Sequence, residues 1–273
     1  MIGCECAGII RRLGPGVTGF QVGDRVVTQT NGTYVNHLQV DVARVHIIPD
    51  SMTFEDAATI PLVYLTAIHS LYHIANLQEG QYVLIHSAGG GVGIAAIQLA
   101  QHKKCDRTDT EILSWQVFVT VSTNEKRKLL ASQFNIPTNR MFSSRNTKFA
   151  EEIRRETNGL GIDIILNSLV GELLDESWRL TADGGVMVEI GKRDIVDRNM
   201  LSMEPFDRNC SFRAVDLSYV EQISNALTGN FANGLLKEVF KLVEDGHIGP
   251  RHYISRRPSI RRSLLYPAWP TYG

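Results

Sequence analysis

The chain divides by the spacing of its apolar residues. Before residue 51 they come in short runs punctuated by Gly and Pro: Ala7–Ile10, then Gly14-Pro15-Gly16, then Val22–Val27. That is hairpin spacing, and it predicts short antiparallel strands of a small barrel, with two further strands at Tyr34–Val40 and Ala43–Ile48. Thr53 followed by Glu55 and Asp56 marks a capped helix start. After Pro61 the apolar run Leu62–Ala75 predicts a buried helix.

Beyond it, strand and helix patterns alternate. Tyr82–Ile85, Val117–Val121, Met141-Phe142, Ile162–Leu166, Val186–Ile190 and Phe212–Val215 read as strands. Ile94–Ala100, Glu125–Gln133, Lys148–Thr157 and Glu172–Leu180 read as helices, and Tyr219–Asp245 as further helix interrupted near Gly229. Alternation of this kind predicts an α/β fold, a Rossmann-type doubly wound parallel sheet covered by helices on both faces. Two stretches break the pattern. Residues 103–116 lengthen a connection, so that Ser122 falls 29 residues after Gly93 where about 20 is usual. From Pro250 onward the chain is rich in Arg and Pro without a period. That tail could be taken for a nucleic-acid patch or a kinase site at Arg256-Arg257-Pro258-Ser259; its lack of periodicity favours a non-native terminus.

Composition narrows the classes. Of 273 residues, 43% are hydrophobic and 21% charged, with a formal net charge of −1, which offers no broad attraction to nucleic acid or to a membrane surface. Cys4, Cys6, Cys105 and Cys210 are too scattered for a disulfide framework and suit a reducing compartment. With no signal-peptide pattern and no apolar run near the length of a membrane span, the expected location is cytoplasmic.

The chemistry centres on Ala88-Gly89-Gly90-Gly91-Val92-Gly93, a glycine turn between an apolar strand and an Ala-rich helix. A dinucleotide needs this order: a tight turn, close backbone approach to the pyrophosphate, and helix N–H groups aimed at it. At the end of the next strand Ser122 stands where an NAD-preferring enzyme would carry an acid, with Lys126 and Arg127 one helical turn on. A hydroxyl and two cations suit a 2′-phosphate, so NADPH is the expected cofactor. Asn167 and Ser168 end a parallel strand at its carboxyl edge, where they either meet a ligand or cap the next helix.

Taken together, the residues resemble the medium-chain dehydrogenase/reductase superfamily, and within it the enoyl reductase domains of reducing polyketide synthases of fungal type. Gly3–Ile9, Val22–Val26, Ala57–Pro61, Leu65-Thr66-Ala67 and the glycine turn carry the general likeness. Asn167-Ser168-Leu169 with Gly171–Leu174, then Glu189–Asp194, Pro205-Phe206 and Ala214–Leu217, carry the specific one. The resemblance implies a GroES-like barrel domain, here incomplete, over 1–53, a nucleotide-binding domain over 54–216, and a return to the first domain over 217–273, aberrant from about 250. It implies a chain cut from a longer synthase, with retained non-coding sequence at 103–116.

The resemblance also implies roles. Thr66 would lie near the nicotinamide, Leu169 and Gly191 would contact the cofactor, and Arg145 would contact the 2′-phosphate. Lys192 and Asp216 would form the catalytic pair, the lysine protonating Cα or stabilising an enolate after hydride reaches Cβ; Tyr34 is a further proton-donor candidate. The implied partners are an acyl-carrier-bound enoyl thioester and the other synthase domains, with homodimerisation allowed. No metal is expected, because Cys4 replaces the His of the zinc enzymes' Gly-His-Glu and no cysteine lies near Leu62–Val63. Two rivals remain: a stand-alone quinone or enone reductase of the same superfamily, and an inactive cofactor-binding fragment.

Overall fold

In the computed structural model, which describes residues 2–105, 116–217 and 226–250, the strands assemble into two sheets. The smaller is antiparallel, β1 (Glu5–Ile9), β2 (Arg25–Gln29) and β3 (Val45–Ile47) in that order. Tyr34–Val40 forms no strand, contrary to expectation. Its apolar residues do not alternate, and Tyr34 (80% exposed) and Val35 (55%) find no second layer among the described residues to bury them.

Two contacts tie the small sheet to the helices after it. Arg25 donates to the carbonyls of Pro49, Asp50 and Met52 and stacks its guanidinium over Phe54, 4.5 Å from the ring centre. Glu5 accepts from the Leu62 N–H at 2.7 Å, capping the helix that begins there, and burial raises its carboxyl above the usual range.

Helices α1 (Phe54–Ala57) and α2 (Pro61–Ile68) come next, the latter continuing as a π-helical stretch, His69–Ile74. Thr53 caps α1 as the sequence predicts, accepting from Asp56 N–H. The 21-residue span Phe54–Ile74, mostly helical with a break between α1 and α2, contains an 18-residue window of mean hydropathy 1.2, long and apolar enough by composition to cross a membrane. Half of it is buried in the protein: Tyr64, Leu65, Ala67, Ile68 and Leu71 are at most 1% exposed, the pattern of a core helix.

The larger sheet has six parallel strands in the order β6-β5-β4-β7-β8-β9. They are β4 (Val83–Ile85), β5 (Val117–Val121), β6 (Met141–Ser143), β7 (Ile162–Asn167), β8 (Thr181–Glu189) and β9 (Ser211–Ala214). Between them run α3 (Gly91–Cys105), α4 (Asn124–Phe134), α5 (Lys148–Glu156), α6 (Glu172–Arg179), α7 (Arg193–Val196) and α8 (Glu204–Asp207). Period-two alternation sorts the side chains into two cores. Ile85, Val119, Leu166 and Val188 join α2 and α3 on one face; Leu84, Phe118, Ile165 and Met187 join Phe149 and Trp178 on the other. Burial on both faces is why these strands are short and continuously apolar.

Two details differ from expectation. β8 begins five residues before Val186, because a register shift between Thr181 and Val186, over the stretch that holds Gly184 and Gly185, lets it pair with β7 at Thr181; a Cβ at Gly185 would lie 2.8 Å from the Asp163 carbonyl. The last helix, α9 (Ala226–Glu244), runs uninterrupted through Gly229, its apolar face holding Leu235, Leu236, Val239 and Phe240 in the core. The remaining irregular stretch, 106–115, the Arg-rich segment from 251 and the start of the predicted Tyr219 helix lie outside the described residues.

Candidate functional site

The strand order reverses between β4 and β7, and a crevice outside the carboxyl ends of the strands at such a reversal is where open α/β sheets bind ligands. In spatial order along that edge stand Arg145 after β6, Ser122 after β5, Ser87 after β4, Ser168 after β7, Lys192 after β8 and Asp216 after β9. With strands about 4.8 Å apart, the row spans roughly 24 Å.

The glycine turn is shaped by missing Cβ atoms rather than by left-handed backbone. A Cβ on Gly93 would lie 2.5 Å from Ala88 Cα and 2.7 Å from its carbonyl oxygen, so the helix can close on its own turn only with glycine there. Gly89 is covered by the side chain of Lys126, whose methylenes a Cβ would meet at 2.8–3.1 Å. The left-handed residue is Ser87, with φ 52°. Ala88 N–H donates to the Thr120 carbonyl at 3.0 Å and Gly90 N–H to that of Ser87 at 2.8 Å, so these two amides are already engaged. The N–H groups of Gly91, Val92 and Gly93 belong to the first turn of α3, where no helical carbonyl is available to them.

Behind the turn sits His86, fully buried. Its Nδ1 lies 2.9 Å from Thr120 Oγ1 and its Nε2 2.9 Å from Ser177 Oγ. Because Ser177 donates its hydroxyl to the Leu173 carbonyl at 2.6 Å, Nε2 carries the ring proton and Nδ1 accepts from Thr120. Burial drives the ring's pKa down to about 3, so it stays neutral and pins β4, β5 and α6 together.

At the end of β5, Arg145 Nε donates to the Ser122 carbonyl at 3.0 Å, and its N–H to Ser143 Oγ at 3.2 Å. Ser122 and Arg145 are thus in contact, and Lys126, from the helix that follows Ser122, lies over the glycine turn. Arg127 points elsewhere, donating to the Met141 carbonyl at 2.7 Å and fastening α4 to β6. Thr123 rather than Ser122 caps α4, accepting from Lys126 N–H.

Across the reversal, Ser168 Oγ donates to Ser87 Oγ at 3.1 Å. Asn167 is fully buried: it donates to the Leu169 carbonyl at 2.9 Å and to Glu189, and accepts from Leu169 N–H at 3.2 Å. Glu189, 2% exposed, also accepts from Gly191 N–H, and burial pushes its carboxyl up to about 7 against those two donors. Three residues after Glu189, Lys192 Nζ meets Asp216 Oδ2 at 2.7 Å; the side chains are 56% and 36% exposed.

The remaining candidates lie apart from this row. Thr66 sits on α2 and donates to the Leu62 carbonyl at 2.7 Å. Tyr34 is in the exposed loop beside Gly3. Sequence reasoning did not single out Ser87, His86 or Glu189. Glu189 had a signal, since a carboxylate between Val188 and Ile190 falls in an apolar strand. No group of three or more His, Cys, Asp or Glu that could hold a metal occurs among the described residues.

Comparison with known proteins agrees with this architecture. Residues 91–228 match the family described as zinc-binding dehydrogenase, and residues 1–50 match the alcohol dehydrogenase GroES-like domain. The highly reducing polyketide synthase claI of Penicillium crustosum is 51% identical over 249 residues, 91% of this chain and 10% of that protein. The chain thus spans about a tenth of the length of the curated relatives it matches. Among solved structures, the CurK enoyl reductase superposes with a TM-score of 0.76 at 34% identity, over 91% of this chain and 69% of that one. Mycobacterial Rv1454c, solved in complex with NADPH, gives 0.71 at 26% identity, over 90% and 72%. With a split nucleotide edge, a GroES-like sheet and these matches, the chain belongs to the medium-chain dehydrogenase/reductase family, in its branch of polyketide synthase enoyl reductase domains.

Proposed function

We propose that this chain reduces an α,β-unsaturated acyl thioester, delivered on an acyl carrier, with NADPH as reductant. One observation supports this above the others. The Lys192–Asp216 pair stands on the same sheet edge as Ser122, Lys126, Arg145 and the glycine turn, separated from them by the strand reversal. Family membership supports a nicotinamide cofactor. The phosphorylated form is favoured by the residues: no acid stands at the end of β5 to hold ribose hydroxyls, and two cations, Lys126 and Arg145, flank Ser122.

The residues fit that cofactor. The first-turn N–H groups of α3, positive at the helix start, would face the diphosphate, with Lys126 lying over Gly89 beside them. Ser122 and Arg145 would take the 2′-phosphate. Ser168 and Ser87 line the crossing point. Thr66 from α2, Gly191 after β8 and Leu169, buried beside Asn167, would approach the nicotinamide end.

When bound, the coenzyme supplies a hydride to the β-carbon of the thioester. The electron pair of the double bond then moves towards the carbonyl, leaving negative charge on the thioester oxygen and at Cα. The Lys192 ammonium can donate a hydrogen bond to that oxygen or a proton to Cα, and Asp216 holds the ammonium in place while it does so. In this reading residues 1–53 and 217–273 belong to the substrate side and 54–216 to the nucleotide side. The enzyme works in the cytoplasm beside the other synthase domains, and β9, the outermost strand on that side among the described residues, offers an edge on which a second copy can pair.

The test is oxidation of NADPH and of NADH by the purified chain with crotonyl pantetheine thioester and with a quinone. Thioester reduction at a rate well above quinone, and NADPH preferred to NADH, is the expected result. Quinone preference would favour a stand-alone oxidoreductase; tight NADPH binding with no turnover on either acceptor would leave a binding fragment.

A further inference from the structure

Glu189 bonds to the residue before each half of the Lys192–Asp216 pair. Its backbone carbonyl accepts from Val215 N–H at 2.9 Å, next to Asp216, and its side-chain Oε1 accepts from Gly191 N–H at 2.5 Å, next to Lys192. Oε2 accepts from Asn167 Nδ2, and Ile190 N–H donates to the Asn167 carbonyl at 3.0 Å, so the same residue locks the ends of β7, β8 and β9. The fit has no slack: a Cβ on residue 191 would lie 2.6 Å from Glu189 Oε1. A carboxylate in an otherwise apolar strand end is costly to bury, and the packing of the strand does not require it. Its distinctive effect is to set the turn carrying the lysine.

We propose that Glu189 is a positioning residue for the ion pair, its ionised carboxylate holding the Ile190–Gly191 peptide, and with it the turn into Lys192, in the orientation that presents the ammonium to substrate. The inference rests on the enoyl-reductase reading of the site. Two donors, Asn167 Nδ2–H and Gly191 N–H, converge on the two oxygens, and only the carboxylate accepts both at full strength; protonation turns one oxygen into a hydroxyl. The groups facing it are the neutral amide of Asn167 from β7, the main-chain N–H of Gly191, and Asp194 from α7, the charged group acting on it. Burial and Asp194 raise its pKa to about 7, which places the loss of the positioned form within the working range.

The tests are the pH profile of kcat with crotonyl pantetheine thioester and, without turnover, the backbone amide shift of Gly191 in the ¹⁵N-labelled full chain. In the wild type kcat should rise through an apparent pKa near 7, and the Gly191 amide should titrate with the same midpoint. Glu189→Gln, which turns an NH₂ towards one of the two donors, should lower kcat roughly tenfold, flatten both profiles and leave the Kd for NADPH within about twofold. Asn167→Ser, which removes one donor and keeps the carboxylate, should move both midpoints to higher pH, and so tests the idea even if the glutamine variant folds poorly. In the double variant Asn167→Asp/Glu189→Gln the amide can donate to the new carboxylate and accept from Gly191, and kcat should partly recover. A Gly191 amide that does not titrate in an active wild type, or a glutamine variant with wild-type kcat and pH profile, overturns the proposal. A wild type that does not reduce the thioester while its Gly191 amide titrates overturns the enoyl-reductase reading instead.

Discussion

Replacing Gly93 with alanine tests how the nucleotide turn is built. The new Cβ would sit 2.5 Å from Ala88 Cα, 2.7 Å from its oxygen and 2.8 Å from its carbonyl carbon. Carbon atoms rest at about 3.5–4.0 Å, so α3 or the turn must move by about 1 Å. Every atom in the way is backbone, with no side chain to swing aside. Overpacking of this kind costs about 1–3 kcal/mol, and the better helix propensity of alanine offsets up to about 1 kcal/mol. A net loss of about 2 kcal/mol should lower Tm by about 4–8 °C in a chain of this size. The same shift moves the first-turn N–H groups of α3, so NADPH affinity should fall at least tenfold, on the order of 1.4 kcal/mol. Gly234→Ala is the matched control. Gly234 lies within α9, where a Cβ finds nothing within 4 Å, and the change should raise Tm by about 2–4 °C without touching affinity. Differential scanning calorimetry and NADPH fluorescence titration read both variants. If Gly93→Ala melts within about 1 °C of wild type and binds NADPH equally well, the close-approach reasoning is wrong.

Ser122→Asp should cut the NADPH-over-NADH preference in kcat/KM by about tenfold or more, because the carboxylate would repel a 2′-phosphate and draw off Arg145; unchanged selectivity would remove these residues from the cofactor site. Lys192→Met should lower kcat about 10²-fold with little change in the Kd for NADPH, read by stopped-flow fluorescence, and a wild-type kcat would make the ion pair purely structural. His86 makes folding acid-sensitive. Its folded pKa of about 3 lies below the ordinary 6.5, so between those values the unfolded chain binds the extra proton and stability falls as pH drops. His86→Gln should flatten the urea-unfolding free energy between pH 6.5 and about 4. Glu189 acts with the opposite sign: its folded pKa of about 7 lies above the ordinary 4.5, so its contribution falls as pH rises from 4.5 to about 7, and Glu189→Gln should remove that slope.

The sheet was legible in the sequence because its strands are buried on both faces and carry uninterrupted Val, Ile and Leu between turn residues; Val117–Val121 falls at the predicted bounds. The helical run after Pro61 and the Thr53 cap were legible for the same local reasons. What the sequence could not show was set by long-range geometry. Tyr34–Val40 has strand-forming residues but no partner strand among the described residues, and Gly184-Gly185 reads as a turn until β7 is in place to receive the shifted register. At the candidate site, the glycine turn and Ser122 stand out by residue type and order, and the structure puts both at the carboxyl edge of the sheet. That Arg127 turns to Met141, that Asn167 is committed to Glu189, and that Glu189 reaches both sides of the ion pair depend on distances across the sheet, which no local pattern encodes.

Ser87 has a consequence for engineering. A serine at φ 52° is held in a conformation that glycine or asparagine adopts more readily, at a cost of about 1–2 kcal/mol. A stabilisation campaign guided by backbone preference would therefore select glycine at this position and obtain a higher melting temperature. It would also erase the hydroxyl that meets Ser168 across the fork of the sheet. Variants screened on heat resistance alone would drift towards a sturdier scaffold that has lost this link between the ends of β4 and β7, so selection here has to include activity from the first round.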